Sequence, residues 1–311
     1  MNEIELIARL VPTLPRNDSV IVAAGDDCAV LDLGAPEYVL FKTDAVVEGI
    51  HFTADTPPEK IGRKALARCL SDIAAMAGKA NSALVTIALP AKFDPVRLDV
   101  VYRGLNLLAA QHGVAIVGGE TTTNPERMLI SIALLGTVEK QKCVLRSGAK
   151  RGDGIFVTGR LGGSIHGKHF DFEPRLEEGR WLRERFDVHA MIDLSDGLAS
   201  DLRHILKASH VGAELLSTAI PISREAKLAR RVESSAKPPL LAALTDGEDF
   251  ELLFTVASKD AVALVDAWKK EFPALPLTCV GKITAEPGLR IRDAQGVRPL
   301  NVHGYTHFEK P

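Results

Sequence analysis

Apolar and polar residues follow two periods along this chain, and the switches between them mark out its elements. Ile4, Ile7 and Leu10/Val11 recur at helical spacing, with Asn2 and Glu5 placed as a capping box. Strands are expected at about 19–23, 28–33 and 38–43, the third closing on Lys42-Thr43-Asp44. Glu48-Gly49-Ile50-His51-Phe52 reads as a turn, and Pro57-Pro58 opens a long helix. Its stripe is Ile61, Ala65, Cys69, Ile73 and Met76/Ala77, with Ser71-Asp72 set inside it. A strand at about 82–89, a helix at about 95–112 and a strand at 114–117 lead into Gly118-Gly119-Glu120-Thr121-Thr122-Thr123, and Met128–Val138 is a further strand. Helices and strands are mixed without regular alternation, an α+β pattern.

The second half begins after Arg146-Ser147-Gly148-Ala149-Lys150-Arg151-Gly152-Asp153-Gly154, a basic, glycine-rich stretch that reads as a linker. Ile155–Gly159 is a strand; Gly162-Gly163-Ser164 and a helical segment follow. Met191-Ile192-Asp193-Leu194-Ser195-Asp196-Gly197 leads into a helix with Leu198, Leu202 and Ile205 on one face. Asp246-Gly247-Glu248-Asp249 precedes the strand 250–256, a helix lies at about 259–271, and strands at about 277–283 and 289–293 close the chain. No fixed-period repeat is present.

Composition narrows the class. With 311 residues, 46% hydrophobic and 25% charged, the chain can bury two moderate cores. A net charge of −2 offers no electrostatic case for nucleic acid, and no basic run suits a membrane surface. The cysteines, Cys28, Cys69, Cys143 and Cys279, form no CxxC pair, which reads as reduced thiols in a cytoplasmic protein. The acidic N-terminus lacks the layout of a signal peptide, and no apolar run is long enough to span a bilayer.

The chemistry is carried by acids. Gly25-Asp26-Asp27-Cys28 sets two carboxylates side by side at a strand-to-strand turn. Like charges there repel unless a cation compensates, although Gly and Asp are also ordinary turn residues. Asp44, Glu120, Asp193 and Asp196 stand beside Gly, Ser or Thr near expected element ends, and Asp72 lies mid-helix among Leu70, Ile73 and Ala74. A carboxylate aimed inward needs a partner, and a hard metal with oxygen ligands is one. The pattern points to carboxylates gathered around two or more Mg²⁺ ions, with Arg146 and glycine-rich backbone holding nucleotide phosphates. Other chemistries fit less well. Gly118-Gly119 is followed by no Gly-Lys-Ser/Thr, 159–163 lacks dinucleotide-fingerprint spacing, and Ser195 lies in no G-x-S-x-G elbow. His51 alone fits a turn as well as a ligand, and His166 and His169 read as surface residues.

Taken together, GDDCAVL (25–31), KTDAVVEGIHF (42–52), RKALARCLSDIAAM (63–76), GGETT (118–122), RSGAKRGD (146–153), IDLSDGLASDL (192–202), GEDFELLFT (247–255) and the closing Gly304-Tyr305-Thr306-His307-Phe308 resemble, in order and spacing, the thiamine-monophosphate kinases. These belong to the aminoimidazole ribonucleotide synthetase-like ATP-binding enzymes. The resemblance implies a two-domain α+β / α/β fold, divided at 140/141. Its N-terminal domain binds metal and ATP and pairs its sheet with that of a second subunit. Its C-terminal α/β sandwich completes the site. The implied reaction is phosphorylation of thiamine monophosphate by ATP and Mg²⁺ in a cytoplasmic homodimer that engages neither nucleic acid nor membrane. By position, Asp27, Thr43, Asp44, Asp72, Glu120, Asp193 and Asp196 match metal ligands. Gly119, Arg146 and Ser195 match nucleotide contacts, and His51, Glu248 and Tyr305 match substrate contacts. Asp27, Asp72, Arg146 and Asp196 carry the implied catalysis.

The chain departs from the family pattern at Glu120, where Asp is usual, at Gly163, where an acid is common, and in the 166–175 segment. These departures leave two alternatives open: an enzyme of the same superfamily with another acceptor, or a non-catalytic nucleotide-binding relative. A selenophosphate synthetase fits poorly, because no reactive cysteine in a glycine-rich surround precedes Cys28.

Overall fold

The computed structural model describes residues 3–233 and 235–305. Helix α1 (Glu3–Leu10) and a 3₁₀ turn lead into β1 (Val20–Val22), β2 (Ala29–Leu31) and β3 (Glu37–Val47). Helix α2 (Pro58–Ala75), β4 (Lys79–Leu89), α3 (Pro95–Gln111), β5 (Ala115–Thr123) and β6 (Leu129–Glu139) complete the first half. The second half runs β7 (Asp153–Thr158), α4 (Lys168–Asp171), α5 (Leu176–Arg185), β8 (Val188–Asp193), α6 (Leu198–Ser209) and β9 (Gly212–Leu216). It ends with α7 (Arg224–Val232), α8 (Pro239–Thr245), β10 (Leu252–Ala257), α9 (Ala261–Glu271), β11 (Leu277–Thr284), β12 (Gly288–Asp293) and β13 (Gly296–Pro299). Among the described residues, no helix is long and apolar enough to cross a membrane.

Two sheets result, ordered β1-β2-β3-β6-β4-β5 and β13-β12-β9-β11-β7-β10-β8. Each has one parallel pair, β4 with β5 and β9 with β12, in an otherwise antiparallel ladder. The first sheet is covered on one face. Along β3, Leu40 and Val46 are buried while Phe41 is 46% exposed, and Leu135 and Leu84 continue that open face. The second sheet is covered on both. Along β7, Phe156 faces a core shared with α2, α5 and α9, and Ile155 and Val157 face a core with α6. An isolated amphipathic stripe would leave part of α2 in water, but 13 residues of this helix are buried, including Lys64, Ser71 and Asp72. It lies between the first sheet and β8. That is how polar residues on its faces reach the interior.

Close approach fixes α2 against α3. A Cβ on Gly62 would lie 1.9 Å from the Val101 carbonyl oxygen, and one on Gly104 would lie 1.9 Å from that of Glu59. Asp94 caps α3, accepting from the Val96 amide at 2.9 Å, and Pro95 starts the helix without needing a donor.

Several expectations need correction. β3 does not close at Lys42-Thr43-Asp44 but continues to Val47, paired throughout with β6. Gly118–Thr123 is not a strand-end loop. It is the second half of β5, held in parallel register on β4. The sequence reading did not anticipate β9, β13, α7 or α8. The Asn2 half of the capping box and Thr306-His307-Phe308 lie outside the described residues.

Candidate active site

Three carboxylates from distant elements converge where α2 passes the ends of both sheets. Asp27 comes from the β1–β2 loop, Asp72 from the last turns of α2, and Asp193 from the end of β8. One oxygen from each lies within 4.8 Å of the others, and all three residues are buried. The cations beside them are few. Arg146 Nη2 donates to Asp27 Oδ1 at 2.6 Å, Lys42 Nζ lies 2.7 Å from Asp72 Oδ1, and Ser71 Oγ donates to Asp193 Oδ2 at 2.6 Å. Asp26 accepts the Arg146 amide at 3.0 Å.

The charge balance is unfavourable as it stands. Burial, with Asp27 adding repulsion, pushes the Asp26 carboxyl up to about 6. Burial raises Asp72 well above the carboxylate range, against the pull of Lys42, and burial together with Asp27 raises Asp193. Burial alone would pull Lys42 down, but Asp72 and Asp44 hold it above its ordinary value. Asp27 Oδ2 is buried with no hydrogen-bond partner among the described residues. An orphaned carboxylate oxygen among three buried acids is a donor set suited to a hard divalent cation.

A second polar centre lies two turns earlier on α2. Lys64 is fully buried, with Nζ 2.8 Å from the His51 carbonyl oxygen, 2.7 Å from His169 Nδ1 and 2.8 Å from Glu248 Oε1. Burial lowers Lys64 to about 8 despite Glu248. Burial would raise Glu248, but the hydrogen bond to His169 and the charge of Lys64 hold it down at about 2. His51 is held neutral, at about 4, by burial and by Arg68. Glu248 stands in a tight turn at φ 53°, anchored by its amide on the Ser195 carbonyl oxygen at 2.7 Å. Its other side opens on a cavity of about 310 Å³ lined by Gly163, Ile165, His166, Ala226 and Lys237.

Of the residues singled out from the sequence, Asp27, Asp72, Asp193 and Arg146 meet directly. Asp44 is held by Arg68, whose Nε and Nη2 donate to it at 2.9 and 3.2 Å, and Arg68 Nη1 lies 3.8 Å from Glu248 of the second centre. His51 and Glu248 meet through Lys64. Ser195 and Asp196 follow Asp193 on one loop, and the Tyr305 amide donates to the Asp196 carbonyl oxygen at 3.1 Å. Asp196 also forms a second group with Asp201 and His204, close enough to the triad that Asp201 feels the charges of Asp193 and Arg146 and His204 those of Arg146 and Asp27. The Asp201 carboxylate accepts the Asp196 and Gly197 amides at the start of α6.

Thr43 and Glu120 are not brought into either centre. Side chains alternate along a strand, so Thr43 projects opposite to Lys42 and Asp44 and lies 3.4 Å from Ser131 Oγ on the open face. Glu120 is in register with Thr86, which pairs with Ser131, so it too belongs to the open face. Gly119 lies beside Glu120 on the same edge strand. His169 is corrected as well. It is 4% exposed and bonded to Glu248, and is not a surface residue. Sequence reasoning also missed Lys42, Lys64 and Arg68. The readable signal was the spacing of Lys64, Arg68 and Asp72, which places all three on one side of α2.

Comparison with known proteins agrees with this architecture. Residues 25–138 match the AIR synthase related protein N-terminal domain and residues 135–294 the corresponding C-terminal domain, which defines the class. A thiamine-monophosphate kinase of Rhodopirellula baltica is 42% identical over 300 residues, covering 93% of this chain and 92% of its own length. That of Escherichia coli strain K12 is 37% identical over 334 residues, covering 99% of each. A solved structure described as AaThiL complexed with AMPPCP and TMP superposes with a TM-score of 0.83 at 28% identity, covering 99% of this chain and 97% of the other. The chain belongs to the thiamine-monophosphate kinase family.

Proposed function

We propose that this chain transfers the terminal phosphoryl group of ATP to thiamine monophosphate, giving thiamine diphosphate, in one in-line step. The observation that carries the reading is the run of two centres along α2: the acid triad with Arg146 at one end, and Glu248 beside its cavity at the other. A relative's complex with AMPPCP and TMP supports the pairing of a nucleotide with this acceptor.

Asp27, Asp72, Asp193 and Asp44 would hold Mg²⁺, with Asp196 on the adjoining loop. Bound there, Mg²⁺ supplies charge neutralisation for the donor and acceptor phosphates. Thr43 and Glu120, on the other face of the sheet, are not part of this ligand set. Arg146, with its planar fork, and the backbone at Ser195 orient the donor phosphates, while Gly119, on the edge strand β5, stands apart from them. Glu248, ionised at neutral pH, accepts the cationic thiazolium, and Tyr305 offers it an aromatic face.

A homodimer is part of the reading. Phe41, Leu84 and Leu135 form an apolar patch on the open face, and a second copy of the same sheet would cover it. The division between domains is placed at 140/141, between β6 and Arg146. All four cysteines are free, which supports a reducing, cytoplasmic setting.

The test is incubation of the purified chain with ATP, Mg²⁺ and thiamine monophosphate, with thiamine diphosphate followed by chromatography and each component omitted in turn. Product that needs all three is expected. ATP hydrolysis with no thiamine diphosphate would overturn this acceptor.

A further inference from the structure

Arg68 lies between the two centres. On α2 it is four residues after Lys64 and four before Asp72, so each neighbour is about 6 Å along the axis. Its fork holds Asp44 through Nε and Nη2, and Nη1 reaches only to 3.8 Å from Glu248 Oε1, too far for a hydrogen bond. Nη1 makes no hydrogen bond among the described residues. The guanidinium is partly buried, with 16% of its side chain exposed.

We infer that Arg68 is the anchor for the phosphate of the acceptor, and so the residue that distinguishes thiamine monophosphate from thiamine. The inference rests on the reading under Proposed function. An acceptor with its ring cation at Glu248 and its phosphate directed toward the triad must pass its phosphate beside Arg68. An arginine fork matches phosphate oxygens in the same two-point geometry it now presents to Asp44. Asp44 is itself an acid of the metal set. A cation taking up that carboxylate frees the two donors that hold it. The donors are then available to phosphate, and the acceptor's phosphate binds best once the cation is in place. Lys64 cannot take this part, because its ammonium is already held by Glu248 and the His51 carbonyl oxygen.

The experiment measures binding, by calorimetry, of thiamine and of thiamine monophosphate to the whole chain with Mg²⁺ and without nucleotide. The unmodified chain is expected to bind the phosphorylated ligand more tightly. In Arg68→Gln that preference should collapse. Affinity for thiamine monophosphate should fall about 10- to 100-fold, the range for losing charged hydrogen bonds, while thiamine binding stays within about twofold. Arg68→Lys, which keeps the charge without the fork, should lie between the two and covers the case in which the glutamine variant does not fold. Omitting Mg²⁺ should shrink the preference in the unmodified chain. Equal weakening of both ligands, or an unchanged preference in both variants, would overturn the assignment. Failure of the unmodified chain to bind either ligand would instead overturn the thiamine reading, and this inference with it.

Discussion

Arg146 reaches across 119 positions of sequence to place Nη2 2.6 Å from Asp27 Oδ1, and the other oxygen of that carboxylate stays buried without a partner among the described residues. One arginine therefore serves only part of an acid cluster built from three segments of the chain. A buried cluster left in that state costs stability, and binding of a cation would recover it.

Asp72→Asn should lower turnover by about 1000-fold or more, because charge stabilisation through a metal is worth several kcal/mol. The metal-free fold should be little changed, since amide and carboxylate are nearly the same size. Steady-state kinetics and thermal unfolding, run side by side, check both halves. Near-normal turnover would remove Asp72 from the metal set.

Asp26→Asn tests the electrostatics with a defined sign. The Asp26 carboxyl is raised to about 6 in the folded chain from its ordinary 3.8. The folded state thus holds this proton more tightly than the unfolded state does, so stability is lost as pH rises from about 4 to about 6. Asparagine mimics the neutral form. In chelator, the variant should match the parent near pH 4 and exceed it by about 2–3 kcal/mol at pH 7. Denaturant unfolding across that range gives the difference, and a gap independent of pH would contradict it.

Lys64→Met removes the buried cation that faces Glu248 and His169. Stripping one partner from a buried ion pair costs about 3–5 kcal/mol. Urea unfolding should show that loss, together with a weaker affinity for the cationic acceptor as the Glu248 turn loosens. A cost below about 1 kcal/mol would mean that Arg68 and His169 suffice.

Gly304→Ala probes the C-terminal strap. A Cβ there would lie 1.7 Å from the Asp196 carbonyl oxygen, so Tyr305 could not keep its bond to that oxygen. Turnover should fall by up to about 100-fold from displacement of Asp196 and Tyr305. Global stability should change by less than about 1 kcal/mol, because the segment is largely exposed. A large stability loss with intact turnover would reverse this reading.

Leu135→Glu places a charge in the open face of the first sheet, at a position 40% exposed in the single chain. Light scattering should show the parent as a dimer and the variant as a monomer. A parent that is monomeric at micromolar concentration would remove the second copy from the open face.

The sequence by itself determined much of the local structure. Pro57-Pro58 and Asp94-Pro95 mark two helix starts, and Leu198, Leu202 and Ile205 do lie on the buried side of α6. Period and end signals act within a few residues, so they can be read along the chain. The acids were legible as a set for a similar reason, because adjacent Asp residues and an Asp inside an apolar helix stripe are costly unless compensated, although Asp72 stands in the last turn of α2 and not mid-helix. Tertiary structure decided which of them meet. Thr43 and Asp44 are adjacent in sequence, yet the pleat of β3 sends them to opposite faces, so only Asp44 joins the α2 side. His169 looked like a surface residue until α4 folded against α2 and buried it on Glu248. Lys64 and Arg68, charged side chains ordinarily found in water, are internal because α2 is enclosed between the first sheet and β8. Burial and long-range pairing depend on contacts from tens to more than a hundred residues apart, which no local pattern encodes.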